Sequence, residues 1–313
     1  MIRISFPAIK IPFLDLNKPK GKIGLDIGTS SVKALMLTYQ KQGGYELTFF
    51  AVEPIDGERT KEKTVQAIKR AVGASGVKAQ KVVISVAGQA VVVRQVLFPK
   101  MSNEELKSAI QYEAEKHIPF NINEVYLDAQ IIDEKAEGSK IKVIIVAAKK
   151  ELVDEHLVYI NEAGYGVDAI DSDSIAVANA FIFSNPGLGK EKTVALINIG
   201  ASMTNICILK NEILNFVRDI PIEAKNLENL ETQIRLSFDY YENQFGKGID
   251  GIYISGGGSK EQGIAERLTQ AFGIETLIWD PTKNLTVSAK VNNQALKEVS
   301  SQMAVCIGLA LRR

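Results

Sequence analysis

The sequence predicts an α/β protein built as two duplicated lobes, with a small extra sheet inserted into the first. Three observations lead there. β-branched runs alternate with stretches of helical periodicity along most of the chain. One apolar hairpin, Leu25-Asp26-Ile27-Gly28-Thr29-Ser30-Ser31-Val32-Lys33, recurs as Ile197-Asn198-Ile199-Gly200-Ala201-Ser202-Met203-Thr204-Asn205, an offset of 172 residues (198 less 26). Between the two copies lies a block that reads strand, helix, strand, strand.

Each element has its own signal. Residues 1–20 carry Pro7, Pro12 and Pro19, which prevent a continuous helix. This leader reads as loose and basic, and weak contact with an anionic bilayer is the functional alternative. Lys22–Ile27, Val32–Tyr39 and Tyr45–Val52 read as strands joined by glycine or serine turns. Val65, Ile68 and Val72 mark a helix that stops at Gly73. In the block, Val82–Val86 and Ala90–Phe98 are strands. Ser102 with Glu105 forms a capping box for a helix that Pro119 ends, and strands Val125–Ile132 and Ile141–Ala148 flank a polar turn. Lys150–Glu162 is a helix, Val167–Asp171 a strand and Ser174–Phe183 an Ala-rich helix, before the break Ser184-Asn185-Pro186-Gly187. The second half follows with strands Val194–Asn198 and Asn205–Leu209. A stripe from Leu227 to Phe245 makes a long helix that reads as core packing. Strand Ile249–Ser255 runs into Gly256-Gly257-Gly258, a further helix ends near Gly273, and a last apolar helix spans Val299–Leu311.

Composition excludes several classes. Lys plus Arg and Asp plus Glu each number 37, so the net charge is zero and nucleic-acid binding has no whole-chain support. The apolar stretches Val82–Val93 and Val143–Ala148 fall short of the roughly 20 residues a membrane span needs. Cys207 and Cys306 sit in apolar runs and read as small buried hydrophobes, without zinc spacing. His117 and His156 are the two histidines, and both fall on amphipathic helices, which gives a Ser-His-Asp hydrolase little support. The first residues lack a signal-peptide pattern, so a reducing, cytoplasmic compartment is the expectation.

The repeated hairpins suit an anionic ligand. Small turn residues let backbone N–H groups approach phosphate oxygens, and a carboxylate closing the first strand can hold hydrated Mg²⁺. The third turn, Gly256–Gly258, follows a strand and is expected to open a helix, where free N–H groups favour a nucleotide. Asp171 and Asp173 lie at a strand-to-helix junction, where Ser172 or Asp173 serves as a cap.

In this order the motifs resemble the actin and sugar-kinase superfamily, whose actin-like fold is a ribonuclease H-like duplication in two lobes. The inserted block, with Gln111-Tyr112-Glu113-Ala114-Glu115-Lys116-His117-Ile118-Pro119-Phe120 and Val125-Tyr126-Leu127-Asp128, looks like the pilus branch of that superfamily. Val146–Lys149, Phe216–Ile220 and Ala304–Arg312 look like it too. The branch is the PilM family, cytoplasmic actin-like proteins of type IV pilus assembly and relatives of the division protein FtsA. The resemblance covers about residues 21–313.

It implies a leader at 1–20, a first lobe at 21–184 with a strand-helix-strand-strand (SHS2) subdomain at about 80–165, and a second lobe at 185–313. The second small subdomain is expected to be reduced to a helix at about 223–246. By resemblance Asp26 holds Mg²⁺ through water, Gly28, Thr29 and Ser30 cradle phosphates, and Lys33 contacts them. Asn198, Gly200, Ser202 and Thr204 form the second phosphate turn, and Gly256, Gly257 and Gly258 sit against the adenosine. Two departures weaken ATP and Mg binding and leave no expected catalytic residue. Asn198 stands where Asp is frequent, and the stretch 220–254 has room for little beyond one helix.

The implied partner is the N-terminal cytoplasmic peptide of PilN, and through it the PilN/PilO inner-membrane complex. That would place the chain in the cytoplasm, peripheral to the inner membrane; self-association is a further expectation. The peptide groove is expected at Val92, Phe98, Ile118, Pro119, Phe120 and Tyr126, although those residues would equally serve the subdomain's own core. An active ATPase or small-molecule kinase, and a component of type II secretion or cell division, are the alternatives.

Overall fold

Lys22–Ile27 (β1), buried almost throughout, Ser31–Tyr39 (β2) and Tyr45–Pro54 (β3) pair as an antiparallel meander, with one face packed under Lys61–Gly73 (α1). Thr60 caps α1 through its side chain. The computed structural model describes residues 22–312 apart from 77–80, 137, 139, 189 and 223–225, so the expected leader lies outside the described residues. Lys81–Val86 (β4) then pairs parallel to β1.

The chain next leaves this sheet. Val91–Pro99 (β5), Asn103–Ala114 (α2), Val125–Ala136 (β6) and Lys140–Lys149 (β7) form a separate sheet in the order β5-β7-β6, covered on one face by α2. The Ser102–Glu105 capping box is present. α2 stops at Ala114, short of Pro119, and in the turn that follows the His117 and Ile118 N–H groups both donate to the Ala114 carbonyl. Lys150–Glu162 (α3) and Gly166–Ser172 (β8) rejoin the first sheet, whose order is β3-β2-β1-β4-β8. The separate sheet is therefore narrower than 80–165: β4 pairs with β1 and β8, and α3 packs on α1.

Asp173–Ser184 (α4) leads to the second sheet. Thr193–Ile199 (β9), Thr204–Lys210 (β10) and Ile213–Ile220 (β11) repeat the meander; Leu227–Phe245 (α5), Gly251–Ser255 (β12), Ile264–Phe272 (α6) and Thr276–Ile278 (β13) complete it. The sheet order is β11-β10-β9-β12-β13. The helical stripe of α5 is core as expected, with Leu230, Ile234, Phe238 and Tyr241 buried.

The C-terminal stretch does not stay with the second lobe. Thr286–Val287 (β14) pairs with β3, extending the first sheet, and Ala304–Ala310 (α8) packs on α4 and β1. A Cβ at Gly308 would lie 1.9 Å from the Ala176 carbonyl oxygen, so only glycine lets α8 cross α4 this closely. The expected helix Val299–Leu311 is instead Asn293–Val299 (α7), a 3-10 turn Ser300–Met303, and α8. The interruption frees the Ser301 carbonyl, which accepts the Gly256 N–H at 2.8 Å.

α4 and α8 lie between the two large sheets in one apolar core holding Phe181, Cys207, Cys306 and Trp279. Burial pushes both thiols well above their ordinary pKa. At the chain's end Arg312 pairs with Asp171 at 2.9 Å, and the two side chains are 2% and 1% exposed. Among the described residues no helix is long and apolar enough to cross a membrane.

Candidate functional site

The two repeated hairpins fold alike. Asp26 faces Lys33 across β1 and β2; 172 residues on (198 less 26, 205 less 33), Asn198 faces Asn205 across β9 and β10. Each turn closes on one bond: the Gly28 N–H donates to the Ser31 carbonyl, and the Gly200 N–H to the Met203 carbonyl. The Gly28 and Gly200 amides are thereby spent inside the turns. The tips, Thr29-Ser30 and Ala201-Ser202, face the same cleft, and Ser202 Oγ donates to Thr29 Oγ1 at 3.0 Å.

Side-chain chemistry separates the hairpins. Lys33 Nζ donates to Asp26 Oδ2 at 2.8 Å. Burial works to lower the Lys33 pKa, but the Asp26 charge and hydrogen bond outweigh it, so lysine stays protonated with a raised pKa. In the second hairpin Asn198 Nδ2 donates to Asn205 Oδ1, Asn205 Nδ2 donates to Asp219 Oδ1, and Ser255 Oγ donates to Asn198 Oδ1. Asp219 Oδ2 also accepts the Gly88 N–H at 2.7 Å, which ties this chain of bonds to the loop after β4. Direction is forced here. Asp219 takes the Asn205 amide hydrogens, so residue 198 must donate; a carboxylate would set oxygen against oxygen.

Of the two candidate caps, Ser172 and Asp173, the structure gives the role to Ser172, and Asp173 lines the cleft. Burial first, and the Asp26 charge second, push its pKa up to about 7. Two carboxylates in mutual repulsion make a hard-oxygen donor set that suits Mg²⁺, with Asp26 and Asp173 as the groups to hold it and phosphate charge as what it would neutralise. Arg59 and His156 also line the cleft, and no motif marked them. Burial lowers the His156 pKa, which keeps the ring neutral, and Nδ1 lies 2.9 Å from the Leu152 carbonyl.

Of the other expected residues, Gly256 and Gly257 line the cleft, whereas Gly258 and Thr204 do not. Thr204 is buried, and its hydroxyl donates to the Ile222 carbonyl at 2.7 Å. Gly256 has φ +86°, and a Cβ there would meet the Ile199 carbonyl oxygen at 2.4 Å. The third turn opens a 3-10 turn, Gly257–Lys260, rather than an α-helix; α6 begins only at Ile264. No extended helix N-terminus therefore points at the cleft from this turn. The cleft measures about 190 Å³, below the roughly 300–1,000 Å³ usual for ligand sites. Between β11 and β12, α5 is the one helix among the described residues.

The expected peptide groove divides. Val92, Phe98 and Ile118 are buried with Leu106 and Ile110 in the inserted sheet's own core, because they point at α2. Pro119 is exposed, and Phe120 and Tyr126 are half-buried where this sheet meets α3. Lys149 Nζ stands 5.1 Å over the Phe120 ring; Tyr126 donates to Asp154 at 3.0 Å, with Lys150 Nζ 5.9 Å from its ring.

A structure described as the PilM-PilN type IV pilus biogenesis complex superposes with TM-score 0.82 at 24% identity, covering 93% of this chain and 98% of that one. Ethanolamine utilization protein EutJ from Carboxydothermus hydrogenoformans superposes with TM-score 0.52 at 10% identity over 94% and 90%. A protein of actin-like ATPase fold and unknown function from Bacteroides thetaiotaomicron gives 0.50 at 13% over 87% and 96%. The fold is thus actin-like. The family model for the type IV pilus assembly protein PilM matches residues 24–229 and 222–313, nearly the whole chain, so this protein belongs to the PilM family.

Proposed function

We propose that the chain is an actin-like scaffold of the type IV pilus inner-membrane platform, which holds the N-terminal cytoplasmic peptide of PilN and through it the PilN/PilO complex. The observation that carries this reading is the seam between α3 and the inserted sheet. There Pro119, Phe120 and Tyr126 stay at least partly open and carry Lys149 and Lys150 beside them. Half-open aromatic rings beside an exposed corner suit apolar side chains of an extended peptide. The match to a chain solved as a PilM-PilN complex supports the same partner. Anchoring of this kind would place the protein in the cytoplasm, at the inner membrane.

In this reading nucleotide is secondary. Weak Mg-ATP binding and little turnover are expected, because the cleft is small, Asn198 is engaged by Ser255 and Asn205, and α5, the one helix between β11 and β12 among the described residues, contributes nothing to the cleft lining. The direct test is binding of a labelled PilN N-terminal peptide to the full chain. Phe120→Ser with Tyr126→Ala should weaken it by about tenfold or more. Removing the whole insert is the poorer test if the cut takes β4, which belongs to the first sheet. Unchanged affinity in the double variant would sink the seam as the site.

A further inference from the structure

A second cavity, of about 550 Å³, lies between the inserted sheet and the second lobe. β5 contributes Val93, Arg94 and Gln95 to it, and β11 contributes the run from Asn215 to Arg218. Successive side chains on a strand point to opposite faces, so a cavity touching every residue of such a run lies along the strand's edge. Both strands are outermost in their sheets. Among the described residues β5 pairs with β7 and β11 with β10; the two strands lie against each other but no ladder joins them, so each leaves backbone groups on its other edge unpaired. The third wall is α5, which presents Leu236 and Tyr240, 49% and 58% exposed, on a different face from its core stripe.

The polar groups share one demand. Gln95 Nε2 is buried without a hydrogen-bond partner among the described residues. Arg94 is exposed at the cavity, and no carboxylate lines it among the described residues. Arg218 is already held by Gln233 and Ser237. The slot therefore offers an unmet amide donor, a cation, a strand edge and an apolar wall. We propose that it docks a second protein partner: an extended peptide with an acidic side chain among apolar ones, added as a strand to the open edge of β5. The acid meets Arg94, a backbone carbonyl of the peptide takes the Gln95 amide on the other face of β5, and the apolar side chains cover Leu236 and Tyr240. A helix would leave the strand edge unpaired, and a small anion would leave the apolar wall bare.

The probe is a phage library of short random peptides selected against the full chain. Selected sequences should combine an acid with neighbouring apolar residues. A fluorescent consensus peptide should bind about tenfold or more weakly to Arg94→Glu and to Tyr240→Ser, two exposed positions where the fold tolerates change. A backbone N-methylated copy of the peptide should lose binding to the unaltered chain, a result independent of any variant's folding. Selection of nothing, equal binding to both variants, or indifference to N-methylation would overturn the proposal. Displacement by the PilN peptide would overturn it too, since that merges the two sites. So would peptide-independent self-association that Tyr240→Ser abolishes, which would make the occupant a second copy of the chain.

Discussion

Position for position, Asp26 and Lys33 in the first hairpin correspond to Asn198 and Asn205 in the second, and the two backbones close their turns through the same N–H to carbonyl bond. One pair is an ion pair facing the cleft; the other is a pair of amides wired to Ser255 on β12 and, through Asp219, to the loop after β4. Duplication preserved the turn, which backbone register and glycine specify. It did not preserve the chemistry, which two side chains decide. The first hairpin keeps charge where phosphate or a cation would come, and the second has become a strut between lobes.

The largest effect should come from a third pair that sets the scale. Asp171 and Arg312 are almost wholly buried, whereas Lys33 and Asp26 are 14% and 12% exposed. Arg312→Met strands a carboxylate inside the protein and should cost about 3–5 kcal/mol in denaturant unfolding. Lys33→Met should cost clearly less, because water in the cleft reaches Asp26. Equal losses would mean that the cleft is as dry as the core.

Asn198→Asp is the next test. It looks like a restoration of charge to the second hairpin, yet it should destabilise by about 2 kcal/mol, since the acid cannot donate to Asn205. Adding Asp219→Asn should recover part of the loss by letting Asn205 turn round.

Asp173 tests the first hairpin. Its folded pKa, about 7, lies above the ordinary aspartate value of 3.8, so the folded state holds the proton more tightly. Its contribution is fully present below pH 4 and is lost as pH rises to about 7. Asp173→Asn should therefore raise stability at pH 8 by at least about 1 kcal/mol and flatten the pH dependence between those limits. A variant equally stable at pH 4 and less stable at pH 8 would reverse the assignment. The smallest effect belongs to the turn-to-turn contact: Ser202→Ala removes one exposed bond to Thr29 and should cost no more than about 0.5 kcal/mol.

Much of this was readable in the sequence where local rules decide. β1, α3 and α5 follow the periodicity and glycine stops of their own segments, and the Ser102–Glu105 cap needs only four residues. The hairpin repeat led to two turns that do meet across a cleft. What stayed hidden depends on distant partners. Nothing near Ser300 announces that Ser301 must leave its helix to take an N–H from Gly256, nor that β14 will return to β3. Val92 and Phe98 looked like groove residues because β-branched and aromatic strands read the same whether α2 or a partner covers them. Asp173 was hidden for a similar reason. An acid in the first turn of a helix is ordinary until the fold brings Asp26 beside it.

The most direct measurement is a titration of the labelled PilN N-terminal peptide into the full chain, with and without Mg-ATP. Saturable binding without nucleotide, little changed by Mg-ATP and lost in the Phe120→Ser, Tyr126→Ala double variant, is what the scaffold account predicts. Binding that requires Mg-ATP, or that survives both substitutions undiminished, would contradict it.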